Sequence, residues 1–111
     1  MKHLLILVCV FTLVPFALAH NYQPPSGYVP DSGTAVRVAE AVLVPVYGQK
    51  QIESEKPFRA ELNDGTWTVS GTLKCPDGKS GFATESRCDG GVTVIQISKD
   101  DGRIISMTHG K

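Results

Sequence analysis

The sequence predicts an α+β domain in which one helix lies across a four-stranded antiparallel meander. Three observations predict it. Apolar residues recur at helical spacing over the first part of the chain after a Pro/Gly-rich stretch. The second half then alternates with period two and is punctuated by tight-turn signals, Asn63-Asp64-Gly65 and Asp100-Asp101-Gly102. A helix followed by strands, without βαβ alternation, places the helix on one face of an antiparallel sheet.

Residues 1–19 are expected to be a signal peptide. Lys2 and His3 lead into Leu4-Leu5-Ile6-Leu7-Val8-Cys9-Val10-Phe11, and Ala17-Leu18-Ala19 supplies a small-x-small cleavage site after Ala19. The apolar run contains Pro15 and ends near Ala19, short of the roughly 20 apolar residues that span a bilayer, so no stable membrane insertion is expected after cleavage. Cys9 sits inside the apolar core rather than after it, which argues against lipidation. The expected location is periplasmic or secreted. Cleavage removes Lys2 as its one charged residue and leaves ten basic against eleven acidic side chains, a net charge of −1. That balance speaks against nucleic acid or an anionic membrane surface as partner.

Residues 20–33 hold three prolines and two glycines with no apolar period, and read as a mostly extended, mobile arm. The single domain is then 34–111. From Thr34, the residues Ala35, Val38, Ala39, Val42 and Val46 share a helical face, with Asp31, Ser32 or Thr34 as cap. Pro45 should kink or end this helix, and Tyr47-Gly48 makes a natural stop. Gln49–Lys56 reads as a short second helical piece. Four strands follow. Phe58–Leu62 alternates apolar and charged residues, and Thr66–Leu73 puts Trp67, Val69, Gly71 and Leu73 on one face. Val92–Ser98 and Arg103–Thr108 carry apolar residues on both faces and read as central strands.

Once Cys9 leaves with the leader, Cys75 and Cys88 form an even pair in an oxidising compartment, and a disulfide is the expectation. Zinc would need four ligands where no C-x-x-C occurs, and a redox pair would sit closer together. Closing this loop should add roughly 3 kcal/mol by restricting the unfolded chain. The loop carries Lys79, Phe82, Glu85, Arg87 and Asp89, which are the candidate partner-binding residues. Phe82 has two readings, as a local core beneath the loop or as an anchor for another protein.

No catalytic, cofactor or metal site stands out in the pattern. A reacting group should appear as a polar residue where the pattern calls for an apolar one, and none does. Glu40 reads as solvated, Arg59 and Glu61 as an exposed pair, His109 as an exposed residue near the terminus, and Gly90-Gly91 as a turn. An amino-terminal His20 could chelate copper, but it lacks identifiable companions.

The stretches AEAVLVPVYGQKQIESEKPFRAELNDGTWTVSGTL and GGVTVIQISKDDGRIISMTHGK resemble a family of small bacterial proteins, the nuclear transport factor 2 fold immunity proteins, found in toxin conflict loci. The residues that carry the resemblance are Ala39-Glu40-Ala41, Tyr47-Gly48, Pro57-Phe58, Ala60 and Leu62, Trp67 with Val69, Gly71 and Leu73, Gly90-Gly91, Asp101-Gly102-Arg103-Ile104, and His109-Gly110-Lys111. The resemblance implies a cystatin-like or nuclear transport factor 2-like fold and a protein partner, a toxin, neutralised by binding. It supplies no catalytic or contact residues to carry over. With the leader, it implies a toxin or envelope-active enzyme outside the cytoplasm, occluded by an exported protein. The alternative is a structural or small-ligand module of the envelope with a cavity on the concave sheet face, lined by Trp67, Val69 and Leu73 with Val42 or Val46 opposite. An enzyme is expected least, since it would need a carboxylate or histidine in that cavity.

Overall fold

A computed structural model describes residues 20–75, 80–82 and 90–110. The leader, Lys111 and most of the loop between the two cysteines lie outside the described residues. Helix α1 spans Ser32–Tyr47 and α2 spans Gln49–Ser54. The strands are β1 (Arg59–Asn63), β2 (Thr66–Ser70), β3 (Thr72–Lys74), β4 (Ser80–Phe82), β5 (Thr93–Ser98) and β6 (Ile104–His109). The fold is α+β, with α1 packed on an antiparallel four-stranded sheet of order β1-β2-β5-β6.

Helix α1 starts where Asp31, in extended conformation, accepts a 2.7 Å bond from the Thr34 amide through its side chain. This satisfies a backbone donor that has no partner within the helix. The Thr34 amide, and after it the Thr34 side chain, hold the Asp31 carboxyl below the usual carboxylate range. Because the folded pKa is depressed, the cap stabilises fully above the unfolded pKa and is lost as pH falls through the folded one. Asp31→Ala should therefore lower the Tm at pH 7, and the gap from the parent protein should close in thermal melts taken progressively below about pH 4.

Pro45 does not stop α1. It falls in the last turn, so it forfeits the bond to the Ala41 carbonyl alone, and the Gly48 amide closes the end on Val44 O at 2.8 Å. Gly48 has φ 91°, a conformation that glycine adopts without a Cβ penalty. The buried line of α1 is Ala35, Ala39 and Leu43, whose two alanines allow close approach to the sheet. Val38 and Val42 flank it, whereas Val46 is 54% exposed.

The first hairpin turns at Asp64 and Gly65, both at positive φ (48° and 71°), as a two-residue turn matched to strand twist requires. Partners in register share a face, so the inner face consists of transverse rows. One row is Leu62, Trp67, Ile97 and Ile104, and the next is Ala60, Val69, Ile95 and Met107. Trp67, Val69, Ile95 and Ile97 are buried under α1 together with Ala35, Ala39, Leu43 and Ile52.

Three sequence expectations change. The stretch 66–73 is two strands, since β2 ends at Ser70 and β3 pairs with β4 in a separate two-stranded sheet. Of the two expected central strands, β5 is internal but β6 is an edge. The arm is not free at its C-terminal end. The amides of Tyr28 and Val29 each donate 3.0 Å bonds, to the carbonyls of Asp100 and Lys99 respectively. Val29 is 2% exposed, and its carbonyl accepts from Trp67 Nε1 at 2.8 Å. Burial of one valine and an indole hydrogen bond outweigh the mobility that the Pro/Gly composition suggests.

Candidate functional site

One end of the domain gathers the root of the cysteine loop, the end of β6 and the joint after α2. At its centre is Glu55, which lies in the polar stretch following α2 yet is only 4% exposed. Its carboxylate Oε1 accepts from the Thr93 amide at 2.5 Å. Oε2 accepts from Thr93 Oγ1 at 3.1 Å and from Gln51 Nε2 at 3.0 Å. Its own carbonyl accepts from the Thr72 amide at 2.7 Å, and Thr72 Oγ1 donates to the Pro57 carbonyl at 2.6 Å.

These bonds explain why β2 and β3 part company. The β2–β5 ladder runs until the Gly71 amide reaches the Thr93 carbonyl at 3.0 Å. The Thr93 amide, which would return a bond to Gly71, is captured by the Glu55 side chain instead, and the Thr72 amide, directed away from β5, donates to the Glu55 carbonyl. β3 is thus released from the large sheet to form the hairpin with β4 that opens into the cysteine loop. Gly71 makes room for this, because a Cβ there would lie 2.9 Å from both Cβ and Oε1 of Glu55.

His109 borders the same site. Its Nε2 is 3.7 Å from Glu55 Oε2, and its ring centroid is 5.3 Å from that of Tyr47 at the end of α1. Gly91 and Gly110 cross here with backbones so close that a Cβ at Gly91 would overlap Gly110. Tyr47, Gly71, Gly91, His109 and Gly110, all among the residues that carry the family resemblance, therefore converge around Glu55.

Chemically, the arrangement is a clamp. A buried carboxylate surrounded by three donors has its oxygens occupied, and the hydrogen bonds offset the cost of removing it from water. No polar residue stood out at a position patterned as apolar, and Glu55 is buried from a position patterned as polar. The sequence missed it because Gln49–Lys56 is polar throughout, with one apolar residue, and gives no local sign that Glu55 turns inward. Among the described residues there is no group of three or more His, Cys, Asp or Glu residues placed to hold a metal ion.

Of the candidate binding residues, Lys79, Glu85, Arg87 and Asp89 lie outside the described residues. The backbone of Phe82 belongs to β4 and pairs with Thr72. Cys75 is buried just after β3, and Cys88 lies outside the described residues. Arg59 and Glu61 are ion-paired and exposed on β1, as read from the sequence. Glu40 is only partly solvated and faces Lys56 at 3.8 Å.

The concave-face cavity lacks its lining. Trp67 and Val69 are packed into the core, and Val46 is turned to solvent. An open groove of about 400 Å³ runs instead between α1 and α2, with Ala41, Val44 and Pro45 below and Arg37, Glu40, Gln49, Glu53 and Lys56 around it. Lys56 bonds Glu53 at 3.0 Å, which raises the lysine pKa and lowers that of the glutamate. Exposed pairs of this kind contribute little to stability.

A helix on one face of a four-stranded antiparallel sheet, with a hairpin excursion between its second and third strands, defines the structural class. Residues 34–111 match the family described as NTF2 fold immunity protein, and the chain belongs to that family. It is also 34% identical over 83 residues to the uncharacterized protein YhhH of Escherichia coli K12, an alignment covering 75% of this chain and 58% of YhhH. The chain thus spans well under two thirds of that relative's length. No solved structure matches it. Among the described residues, no helix is long and apolar enough to cross a membrane.

Proposed function

We propose that this chain is an exported immunity protein that binds a toxin or envelope-active enzyme and neutralises it by occluding its working surface, without chemistry of its own. Family membership carries the reading. The Glu55 clamp supports it, since a carboxylate whose oxygens already accept three hydrogen bonds is suited to holding a frame rather than to moving protons. The frame presents the cysteine loop at one end, and ordering a loop before binding reduces the entropy lost on association.

Residues 1–19 act as the export signal in this reading, and Cys75 pairs with Cys88. The partner would be met outside the cytoplasm. Mass spectrometry of protein recovered from the envelope compartment should give a chain beginning at His20 with no free thiol. Cys88→Ser should lower stability by roughly 3 kcal/mol and speed proteolysis between β4 and β5. An unchanged melt, with two reactive thiols in the parent protein, would remove the disulfide from the account.

The neutralising role is tested by affinity capture of the mature protein from its own envelope fraction, followed by a survival assay with the captured effector. Cells expressing the effector in the envelope should survive when this chain is co-exported and die when it is not. Equal survival with and without it would contradict the role.

A further inference from the structure

The buried Glu55 carboxylate has one neighbour whose charge is not fixed. His109 enters the site from the end of β6, opposite Thr93 in register, so the two side chains share a face of the sheet. The backbone sets the tautomer of its ring. Nδ1 lies 2.7 Å from the Gly110 carbonyl oxygen, and since a carbonyl only accepts, Nδ1 carries the hydrogen of that bond. A neutral imidazole has a single N–H, so in that state Nε2 bears a lone pair. This lone pair faces Glu55 Oε2 at 3.7 Å, an oxygen that already accepts from Thr93 Oγ1 and Gln51 Nε2. Two acceptors oppose each other there, and the neutral ring does nothing to hold the carboxylate. A proton on Nε2 reverses the relation. The ring becomes a cation beside a buried anion, where water screens the attraction weakly. The His109 side chain is 31% exposed, so that proton exchanges with solvent without opening the fold.

We propose that His109 is a proton-operated latch on the Glu55 clamp, whose protonation adds an ion pair to the carboxylate and tightens the root of the cysteine loop in acidic surroundings. Glu55 transmits the effect to both ends of that loop. Its side chain holds the Thr93 amide at the start of β5, and its main-chain carbonyl holds the Thr72 amide at the start of β3. The groups that face the ring come from three elements. Glu55 comes from the joint after α2, Thr93 from β5, and Tyr47 from α1 with its ring centroid 5.3 Å away. Thr93 does not titrate, and a phenol ordinarily stays neutral until about pH 10. Lys56, next to Glu55 in the chain, is engaged by Glu53 and Glu40. The sign follows from linkage. Folding that gives an imidazolium an anionic partner favours the protonated form, so the added stability is full on the acid side of the imidazole range and lost on the alkaline side. The latch is a property of the frame and does not depend on which partner the chain binds.

The test is amide hydrogen exchange on the mature protein alone. Protection at Thr93 and Thr72 is corrected for intrinsic exchange and divided by that of the β1–β2 ladder, which cancels any global change in stability. The ratio should rise about fivefold from about pH 7.5 to about pH 5.5, a window that spans the ordinary imidazole range and stays above the ordinary carboxylate range. In nitrogen-resolved spectra above about pH 8 the neutral ring of His109 should carry its proton on Nδ1. His109→Gln cannot titrate and should leave the ratio flat, and Glu55→Gln removes the anion and should do the same. A flat ratio in the parent protein would overturn the proposal. So would a ring protonated on Nε2 when neutral, which would donate to Glu55 without any titration, or a pH response that survives either substitution. Should His109→Gln fail to fold, the tautomer and the response of Glu55→Gln decide.

Discussion

Trp67→Ala should lower the free energy of unfolding by about 3–5 kcal/mol, the range for truncating a buried aromatic side chain. The indole is 7% exposed in the middle of the inner face, in a row with Ile97 and beneath the segment that carries Val29. Truncation does two things. It opens a void that α1 and the sheet cannot fully close, and it leaves the Val29 carbonyl without its donor. Segment 27–30 should then loosen, with faster hydrogen exchange at the Tyr28 and Val29 amides. Trp67→Phe should cost less, about 1–2 kcal/mol, because it retains most of the volume and loses the hydrogen bond. Urea denaturation checks both variants. A loss under about 1 kcal/mol for the alanine variant would mean that the indole is not in the core.

Glu55→Ala should cost about 3 kcal/mol or more, because it removes the acceptor of three hydrogen bonds and leaves the buried Thr93 amide unpaired. The damage should be local in character. Release of the clamp should expose Thr72 to exchange and increase cleavage between β3 and β5, while the β1–β2 hairpin stays protected. Glu55→Gln separates a structural role from a chemical one. Its amide oxygen can still accept from Thr93, so the expected loss is smaller, about 1–2 kcal/mol, with binding and neutralisation intact. A well-folded Glu55→Gln protein that had lost all function would instead make the carboxylate a working group.

Much of this fold follows from patterns local in sequence. Asp31 caps α1, Asn63-Asp64-Gly65 turns the first hairpin with two positive φ values, and Trp67 and Val69 point inward because period two leaves them no other face. The failures are where tertiary contacts decide. Alternation runs unbroken from Trp67 to Leu73, yet the chain changes sheets at Gly71, because the atoms that end the ladder belong to Glu55, far away in sequence. Glu55 itself sits among polar neighbours, and its burial depends on Thr93 coming to meet it. Val29 looked like part of a linker because its pairing partner, the Lys99–Asp100 turn, is some seventy residues distant. The apolar residues on both faces of β6 suggested a central strand, whereas in the sheet β6 is an edge, with Ile104 and Ile105 exposed.

The site was legible to a similar extent. His109 read as an ordinary terminal residue, and only the fold brings it beside Tyr47 and Glu55. The residues that carry the family resemblance did point to this end of the molecule, through Gly71, Gly91 and Gly110. Each permits a close approach, of Glu55 to Gly71 and of Gly91 and Gly110 to one another, whose purpose is invisible without the fold.

The most direct measurement is a titration of the effector's toxic activity against the mature protein, read alongside the mass of the mixture. Occlusion predicts that activity falls linearly, vanishes at one equivalent, and coincides with a stable complex from which active effector is recovered on denaturation and refolding. Inactivation by far less than one equivalent, with the effector covalently altered and no complex formed, would show that this chain works by chemistry and would contradict the account.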